Sequence, residues 1–258
     1  MADEMRGKVI LVMGIANRWS LAYAIAQALA GAGTRLLLSY QAERVKKAVE
    51  ELGQGLGATN VYPCDVGEDA SIAALFDAIG QDLNGAPLGG VVHCLAFAQK
   101  EDLDRPFHAT SRAGFSQALE ISAYSLAAVA HRAAPLMSDG GGIVTLSYLG
   151  SQRVVPHYNV MGVAKAALEA AVRYLANELG PQGIRVNAIS AGPVKTASAR
   201  AIKDFSSILE LVAQRAPLRR LTDPAEVAST ALFLLSPAGR GLTGDTLFVD
   251  SGYHILGI

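Results

Sequence analysis

Two tyrosines and a lysine are spaced so that they could act together in chemistry. Tyr148, Tyr158 and Lys165 are ten and then seven residues apart. Apolar residues recur at helical intervals after Tyr158 until Gly180-Pro181 ends the pattern, which predicts a helix from Tyr158 to about Gly180. Seven residues make about two turns, so Tyr158 and Lys165 project from one face. Because a nearby ammonium favours the ionised form of a phenol, the pair is a candidate for proton donation or for binding an oxyanion.

The same pair could arise by chance on any helix that carries a lysine, so the rest of the chain has to support it. The chain has 258 residues, of which 51% are hydrophobic and 17% charged. This composition favours one large domain, residues 1–258, whose strands are covered on both faces as in a parallel sheet. A net charge of −1 predicts no binding to nucleic acid or to an anionic membrane.

The chain carries no visible membrane or export signal. No apolar run reaches the roughly 18 residues of a spanning helix, and Met1–Lys8 contains no apolar core of a secretory signal. The expected location is therefore the cytoplasm. Cys64 and Cys94 lack the spacing of a zinc site or a redox pair, which predicts buried reduced thiols.

Short strand-like segments alternate with amphipathic helical ones along the whole chain. Strands are predicted at Val9–Met13, Arg35–Tyr40, Val61–Cys64, Gly90–Ala96, Ile143–Tyr148, Val186–Ser190 and Thr246–Val249. Helices are predicted at Leu21–Ala30, Ala42–Leu52, Ala70–Leu83, Arg112–Met137, the segment after Tyr158, Ser206–Arg215 and Ala225–Leu235, with turns at Gly53–Thr59 and Asp139–Gly142. This order predicts an α/β fold, a doubly wound Rossmann-type sheet of about seven parallel strands with helices on both faces.

Ligands of such sheets bind beyond the carboxyl ends of the strands, and the loop after the first strand is the first candidate there. Gly14 could make the tight turn and Ser20 could cap the helix that begins at Leu21, as a pyrophosphate site requires. The G-x-G-x-x-G pattern is absent, because Ala16 and Trp19 stand where glycine is usual. An ordinary strand-to-helix turn with a serine cap remains the alternative.

Three further strand ends carry candidate residues. Gln41 stands where NAD enzymes often have an acidic residue and NADP enzymes an arginine. Asp65 could meet an adenine amino group, or could serve equally well as a turn or cap residue. Cys94 and Ala96 lie in a small apolar strand end that a cofactor ribose could approach. His93, in the same strand, is predicted to be a hydrogen-bonded core residue without a catalytic role.

Five motifs follow one another over nearly the whole chain. They are Gly14-x5-Ser20, Cys64-Asp65-Val66, Leu146-Ser147-Tyr148, Tyr158-x6-Lys165 and the segment Asn187 to Pro193. Together they resemble the short-chain dehydrogenase/reductase superfamily, and more narrowly its enoyl-acyl-carrier-protein reductase family of bacterial-type fatty-acid synthesis.

The spacing of the tyrosine and the lysine distinguishes this family from the rest of the superfamily. Ordinary members carry Tyr-x3-Lys, whereas here the fourth position after Tyr158 is Gly162 and the lysine comes at the seventh. In the reduction of a ketone, hydride arrives at the carbon that bears the oxygen. In the reduction of an enoyl thioester, hydride arrives at C3, and the negative charge appears on the thioester oxygen, two carbons away from C3. Moving the tyrosine one turn upstream, with the lysine left in place, matches that difference.

The resemblance implies a role for each motif. It implies that Tyr158 stabilises the enolate oxygen, that Lys165 holds the nicotinamide ribose, and that Tyr148 lines the substrate pocket, with packing at the strand end as the alternative role of Tyr148. It implies cofactor contacts by Gly14, Ser20, Leu21, Gln41, Asp65, Val66, Cys94, Ala96, Lys165, Val194 and Thr196. It implies substrate contacts by Ala96, Tyr148, Tyr158, Ala197 and Ile202, and a mobile lid over residues 197–211.

Two departures from the family pattern bear on ligands. Ala96 adds a methyl group where many relatives have glycine, which narrows the pocket beside the nicotinamide ribose. Gln41 resembles NADH-using members more than NADPH-using ones, which implies NADH, although Arg44 and Lys46 keep NADPH open as the less favoured cofactor.

The resemblance also implies partners and alternatives. It implies that an acyl-carrier protein delivers the enoyl substrate, with a basic patch of Lys203, Arg215, Arg219 and Arg220 as a candidate docking surface. The resemblance implies a homotetramer, since members of the superfamily are commonly tetramers, and the apolar C-terminal stretch Gly252–Ile258 would be poorly placed in water on a monomer. A 3-oxoacyl-thioester ketoreductase of the same superfamily and a catalytically inactive NAD-binding regulator are the alternative functions.

Overall fold

The computed structural model describes residues 2–196 and 205–257. The strands are β1 Val9–Met13, β2 Arg35–Tyr40, β3 Asn60–Pro63, β4 Leu88–His93, β5 Gly141–Ser147, β6 Ile184–Ala191 and β7 Thr246–Val249. The helices are α1 Ala2–Met5, α2 Leu21–Gly31, α3 Glu43–Leu56, α4 Asp69–Leu83, α5 Lys100–Asp104, α6 Arg112–Leu119, α7 Ser125–Ala133, α8 Asn159–Leu179, α9 Phe205–Arg215 and α10 Pro224–Leu235.

The strands form one parallel sheet in the order β3-β2-β1-β4-β5-β6-β7. The chain winds outward from β1 in one direction to β3, and then crosses back to β4 and winds outward the other way. The order therefore reverses between β1 and β4, which is where open α/β sheets bind their ligands. The doubly wound Rossmann-type fold predicted from the alternating segments is confirmed.

The sheet is buried on both faces, as the high apolar fraction predicted. Alternate side chains of β1 enter different cores, because successive residues of a strand point to opposite sides. Leu11 and Met13 belong to the core that includes residues of α4, α7 and α8. Ile10 and Val12 belong to the core that includes residues of α2 and α10.

The predicted helix Arg112–Met137 was wrong as a continuous element. It is divided into α6, a π-helical turn at Glu120–Tyr124, α7, and a 3₁₀ turn at Ala134–Leu136 that contains Pro135. Proline lacks the amide hydrogen that an α-helix needs, which accounts for the change at that end. The π-helical turn contains Ser122, whose Oγ accepts a hydrogen bond from the amide of Phe97 at 3.0 Å. The turn therefore lies beside Phe97, in the loop that follows β4.

The two glycine-rich turns were also placed incorrectly. Helix α3 continues to Leu56, four residues into the segment predicted as a turn. It ends at Gly57, whose φ of 69° terminates helices without strain. Gly141 and Gly142 begin β5 and lie in the sheet. A Cβ at Gly141 would lie 2.4 Å from the carbonyl oxygen of Gly89, so this strand pairing requires the absence of a side chain.

Over residues 2–196 and 205–257, no helix is long and apolar enough to cross a membrane. Those ranges also contain no group of three or more His, Cys, Asp or Glu side chains placed to hold a metal ion.

Candidate active site

Two adjoining clefts lie beyond the carboxyl ends of the strands, with volumes of about 380 and 410 Å³. They share the lining residues Leu21, Ala96, Phe97 and Thr196. The first contains Tyr148 and Tyr158 and is here named the tyrosine cleft. The second contains Lys165 and the β1–α2 loop and is here named the glycine cleft.

The glycine cleft begins at a turn that only glycine can make. Gly14 has a φ of 95°, and a Cβ there would lie 2.1 Å from the carbonyl oxygen of Cys94. The loop then enters α2, where Ser20 Oγ accepts a hydrogen bond from the amide of Tyr23 at 3.3 Å. The N-cap predicted at Ser20 is thus present. Since Ser20 and Leu21 both line the cleft, the positive end of the α2 dipole is next to it, as a pyrophosphate site requires.

Most residues predicted to contact a cofactor line the glycine cleft. These are Gly14, Ser20, Leu21, Gln41, Val66, Cys94, Ala96, Lys165 and Thr196. Val194 lines the tyrosine cleft instead. Asp65 is not among the residues lining either cleft, and its carboxylate accepts a hydrogen bond from the amide of Gly67 at 3.0 Å. This is the turn role that the sequence left open for Asp65.

Two cationic side chains near Gln41 have different environments. Arg44 lines the glycine cleft. The ammonium of Lys46 is 3.2 Å from the carboxylate of Glu43, an i,i+3 pair on the exposed side of α3.

The tyrosine cleft brings together both predicted tyrosines. The rings of Tyr148 and Tyr158 meet edge to face, with 4.9 Å between centroids and an interplanar angle of 73°. Ala96, also predicted to contact substrate, lines the same cleft, whereas Ala197 and Ile202 lie outside the described residues. The sequence did not identify a further group of apolar residues that line the cleft, namely Phe97, Leu103, Met161 and Phe205.

Lys165 is oriented by the strand that precedes Tyr148. Its side chain is buried, and Nζ donates a hydrogen bond to the carbonyl oxygen of Leu146 at 2.7 Å. Burial lowers the pKa of Lys165 to about 8, although the neighbouring Cys94 and Glu169 act in the opposite direction. The ammonium therefore retains its proton at neutral pH and loses it in mildly alkaline solution.

The effect expected of the ammonium on the tyrosine was wrong. Burial raises the pKa of Tyr158 well above its ordinary value, and the nearby Tyr148 and Glu169 add to the shift. Burial likewise raises the pKa of Tyr148 to about 12. Tyr158 is thus a neutral phenol that can donate a hydrogen bond, because its environment disfavours the phenolate.

The spacing of seven has a steric basis in the structure. A Cβ at Gly162, the fourth residue after Tyr158, would lie 2.7 Å from the carbonyl oxygen of Gly150. A Cβ at Gly150 would in turn lie 2.3 Å from Cδ1 of Tyr158. The turn that follows Tyr148 therefore packs directly on α8, and leaves no space for a lysine at the position usual in the superfamily.

Asn159 is a residue of the site that the sequence analysis missed. Its Nδ2 donates to the carbonyl oxygens of Leu103 and Arg105, both at 2.8 Å. It thereby attaches the end of α5, including the cleft residue Leu103, to the start of α8. The backbone angle φ is 38° at Asn159 and 62° at His157. A residue in the left-handed backbone conformation therefore lies on each side of Tyr158. Asparagine tolerates that conformation, which was the one signal available in the sequence.

His93 has the structural role predicted for it. Its Nδ1 is 3.0 Å from Thr145 Oγ1 and its Nε2 is 2.8 Å from Ser125 Oγ. Complete burial lowers the pKa of His93 to about 3, so the ring is neutral at physiological pH. Cys64 and Cys94 are free thiols, as expected, the first buried and the second half-buried.

The predicted basic patch is smaller than its sequence suggested. The guanidinium of Arg220 forms a two-point ion pair with the carboxylate of Glu226, at 2.5 and 2.8 Å. Arg219 donates to the carbonyl oxygens of Gln214 and Arg215 at the end of α9, and Lys203 lies outside the described residues. The charge of Arg220 is thus compensated within the chain.

The parallel sheet, the Gly14 turn at the capped end of α2, and the tyrosine and lysine of α8 define a dinucleotide-binding oxidoreductase of the short-chain dehydrogenase/reductase class. The sequence profile of the family described as Enoyl-(Acyl carrier protein) reductase matches residues 14–254. The chain belongs to this family.

Two named enoyl-[acyl-carrier-protein] reductases are similar to this chain over nearly their whole length. The chain is 52% identical to enoyl-[acyl-carrier-protein] reductase [NADH] FabI of Bacillus cereus over 257 residues, which covers 99% of this chain and 100% of that protein. It is 46% identical to enoyl-[acyl-carrier-protein] reductase [NADPH] FabI of Staphylococcus aureus over 255 residues, or 98% of this chain and 99% of that protein.

Solved structures match the fold closely. The Bacillus cereus enzyme, crystallised with NADP+ and indole naphthyridinone, superposes with a TM-score of 0.97 at 52% identity, covering 99% of this chain and 100% of that one. The reductase of Anaplasma phagocytophilum in complex with NAD superposes with a TM-score of 0.93 at 46% identity, covering 98% of this chain and 94% of that one.

Proposed function

We propose that the protein reduces the trans-2 carbon–carbon double bond of enoyl-acyl-carrier-protein thioesters, with NADH as reductant, in fatty-acid elongation. The observation that carries this proposal is the separation of Tyr158 from Lys165. The phenol lines the tyrosine cleft and the ammonium lines the glycine cleft, and the close approach of Gly150 to Gly162 leaves no space for a side chain at the fourth residue after Tyr158. A donor that lines a different cleft from the lysine suits an oxygen remote from the carbon that receives hydride.

The residues of the glycine cleft fit a nicotinamide dinucleotide. The Gly14 turn is a surface that a Cβ would fill, and the N-terminus of α2 favours an anionic pyrophosphate. The residues that would hold the cofactor are those of the glycine cleft, with Gln41 at the adenosine end and Lys165 at the nicotinamide ribose. When bound, the cofactor would supply a hydride for C3 of the enoyl thioester, and a proton added at C2 of the resulting enolate would complete the reduction.

The tyrosine cleft supplies the remaining chemistry from its own side chains. Tyr158, kept neutral by burial, donates a hydrogen bond to the thioester oxygen and stabilises the negative charge that develops on it as an enolate. Lys165 contributes positive charge beside that reaction centre. Tyr148 packs on the edge of Tyr158 and orients it, and the apolar wall excludes water so that these polar interactions are strengthened.

NADH is the cofactor we infer, and the described residues near Gln41 support that choice. Lys46 is engaged with Glu43, which leaves Arg44 as the cation that lines the glycine cleft near Gln41. A 2′-phosphate is bound best by several converging cations, and the neutral Gln41 suits a ribose hydroxyl. Relatives named as NADH enzymes and relatives named as NADPH enzymes both exist. The direct measurement is therefore the ratio of the dissociation constants of NADH and NADPH. We expect NADH to bind at least about tenfold more tightly than NADPH.

Four features of the working enzyme complete the proposal. An acyl-carrier protein delivers the substrate, and the enzyme works in the cytoplasm. Residues 197–211 are proposed to act as a lid; residues 197–204 lie outside the described residues, and Phe205 of α9, which belongs to the segment, lines the tyrosine cleft. The protein assembles as a homotetramer.

The assay that tests the proposed function follows the absorbance of reduced nicotinamide. Purified protein is supplied with NADH or NADPH and with a trans-2-enoyl thioester, beside a 3-oxoacyl thioester of the same chain length. We expect consumption of NADH with the enoyl compound only. Consumption with the oxoacyl compound only would establish a ketoreductase, and NADH binding without turnover of either substrate would establish an inactive regulator.

A further inference from the structure

A buried carboxylate next to the active site acts to raise the pKa values of Lys165 and Tyr158, but its hydrogen bonds have no part in the chemistry described so far. Glu169 lies on α8 one turn after Lys165, and only 5% of its surface is exposed. Its Oε1 accepts hydrogen bonds from Ser147 Oγ at 2.5 Å and from Ser151 Oγ at 2.6 Å, and its Oε2 accepts one from Gln152 Nε2 at 3.2 Å. Within residues 2–196 and 205–257, no lysine or arginine lies in ion-pair distance of it.

Fold stability alone gives a poor account of such a group. Burying a carboxylate is costly even when it is hydrogen-bonded, and uncharged substitutes of similar size commonly serve the fold as well or better. The burial of Glu169 therefore indicates a role that depends on the groups that are hydrogen-bonded to its carboxylate.

The three donors lie on both sides of Tyr148. Ser147 directly precedes it at the end of β5, and Ser151 and Gln152 follow it in the next turn. The carboxylate thus attaches both ends of the turn that carries Tyr148 to the helix that begins after Tyr158 and carries Lys165. The same turn contains Gly150, whose Cα lies against the Tyr158 ring.

We propose that Glu169 is a positioning residue for the reduction. By accepting hydrogen bonds from Ser147, Ser151 and Gln152, it holds the Tyr148 turn on α8. The position of that turn in turn fixes the contact between the Tyr148 and Tyr158 rings and the direction of the Tyr158 hydroxyl. This inference rests on the proposed reductase activity. It assigns to the three hydrogen bonds an effect on the chemical step and none on the affinity for NADH, because none of the three donors lines the glycine cleft. Burial lowers the pKa of Lys165 and the charge of Glu169 acts to raise it, so NADH affinity is judged in variants that keep this charge.

The test compares Glu169→Ala, Ser147→Ala and Ser151→Ala with the control Ser229→Ala, which removes an exposed hydroxyl on α10 that donates to the carbonyl oxygen of Ala225. For the first three we expect kcat to fall at least about tenfold, and for the two serine variants we expect the dissociation constant of NADH to stay within about twofold of wild type. NADH deuterated at the transferred position should show a larger isotope effect on kcat than in the wild type, because the chemical step becomes rate-limiting. A residue that served the fold alone would leave that isotope effect unchanged.

A swap of the two partners tests whether the hydrogen bonds themselves matter. In the double variant Glu169→Gln with Gln152→Glu, residue 169 keeps an oxygen for the two serines and presents an amide donor to a carboxylate at 152. We expect it to recover kcat to within about threefold of wild type, whereas Glu169→Ala, which cannot form these hydrogen bonds, remains lower.

Three results would overturn the inference. They are wild-type kcat in Glu169→Ala, equal losses of kcat and NADH affinity in the two serine variants, or an unchanged isotope effect in those variants. If Glu169→Ala does not fold, kcat and the isotope effect in the two serine variants, and kcat in the double variant, still test the inference. Failure of the proposed function is distinguishable, since the wild-type protein itself would then not reduce the enoyl thioester.

Discussion

At the scale of single residues, the protonation states of Tyr158 and Lys165 decide what each can do. The residue types and their spacing identified this pair, but not its electrostatics. Those depend on burial and on the Leu146 carbonyl that accepts from the ammonium, and both are properties of the folded chain. The phenol is a neutral donor, and the lysine is a cation close to its titration point.

The pKa of Lys165 leads to a prediction about cofactor binding. Its lowered value of about 8 means that the ammonium is present at neutral pH and is lost as the pH rises through that value. Since NADH is an anion that would bind the protonated form, its dissociation constant should rise above about pH 8, by up to about tenfold per pH unit. Burial moves the pKa values of His93 to about 3 and of Cys94 to about 12, so neither titrates in this window.

Fluorescence titration of NADH between about pH 7 and about pH 9 measures this dependence. The matched control is Lys165→Met, which should bind more weakly and without the alkaline rise. An equal rise in both proteins would show that another group is responsible.

At the scale of elements, the site depends on how closely the Tyr148 turn approaches α8. Much of the element order could be predicted, because strands such as β1 and β2 are short apolar runs with clear boundaries. The break in the predicted helix Arg112–Met137 could not, since the π-helical turn at Glu120–Tyr124 leaves the apolar periodicity almost unchanged. Contacts such as that of Gly150 with Tyr158 join residues whose approach is set by tertiary packing, and a glycine in the sequence does not reveal what lies against it.

Gly150→Ala tests that approach directly. The new Cβ would lie 2.3 Å from Cδ1 and 2.8 Å from Cε1 of Tyr158, so the ring has to move. A displacement of about 1 Å can cost about a hundredfold in rate, and we expect kcat to fall by at least about tenfold with NADH affinity retained. The control is Gly55→Ala in α3, where no atom lies within 4 Å of the added Cβ. Equal kcat in the two alanine variants would contradict the packing described for Tyr158.

At the scale of the whole molecule, the topology places every part of the site at one edge of the sheet. The reversal of strand order between β1 and β4 opens the glycine cleft, and the loops after β4, β5 and β6 form the walls of the tyrosine cleft. The alternation of segments predicted this arrangement. It could not show which apolar side chains would form the tyrosine cleft, because Leu103 and Met161 come from elements far apart in the chain.

The C-terminal segment supports a prediction about assembly. Ile255 remains 68% exposed, which favours its burial against another copy of the chain. Light scattering should give four times the 26.9 kDa of one chain. Ile255→Asp should yield smaller species, because a carboxylate is costly to bury in an apolar interface. Leu218→Asp, at a side chain that is 60% exposed outside that segment, should remain tetrameric. A monomeric wild-type protein would refute the assembly.

The central claim is that Tyr158 acts on the substrate while Lys165 serves the cofactor. Single-turnover reduction of a trans-2-enoyl thioester, with the dissociation constant of NADH measured alongside, tests it most directly in Tyr158→Phe and Lys165→Met. We predict that Tyr158→Phe lowers the rate at saturating NADH by about 10²–10³, the typical effect of removing one oxyanion donor, and leaves NADH affinity intact. Lys165→Met should weaken NADH binding by at least about tenfold. Wild-type reduction by Tyr158→Phe, or a loss in that variant confined to NADH affinity, would contradict the account.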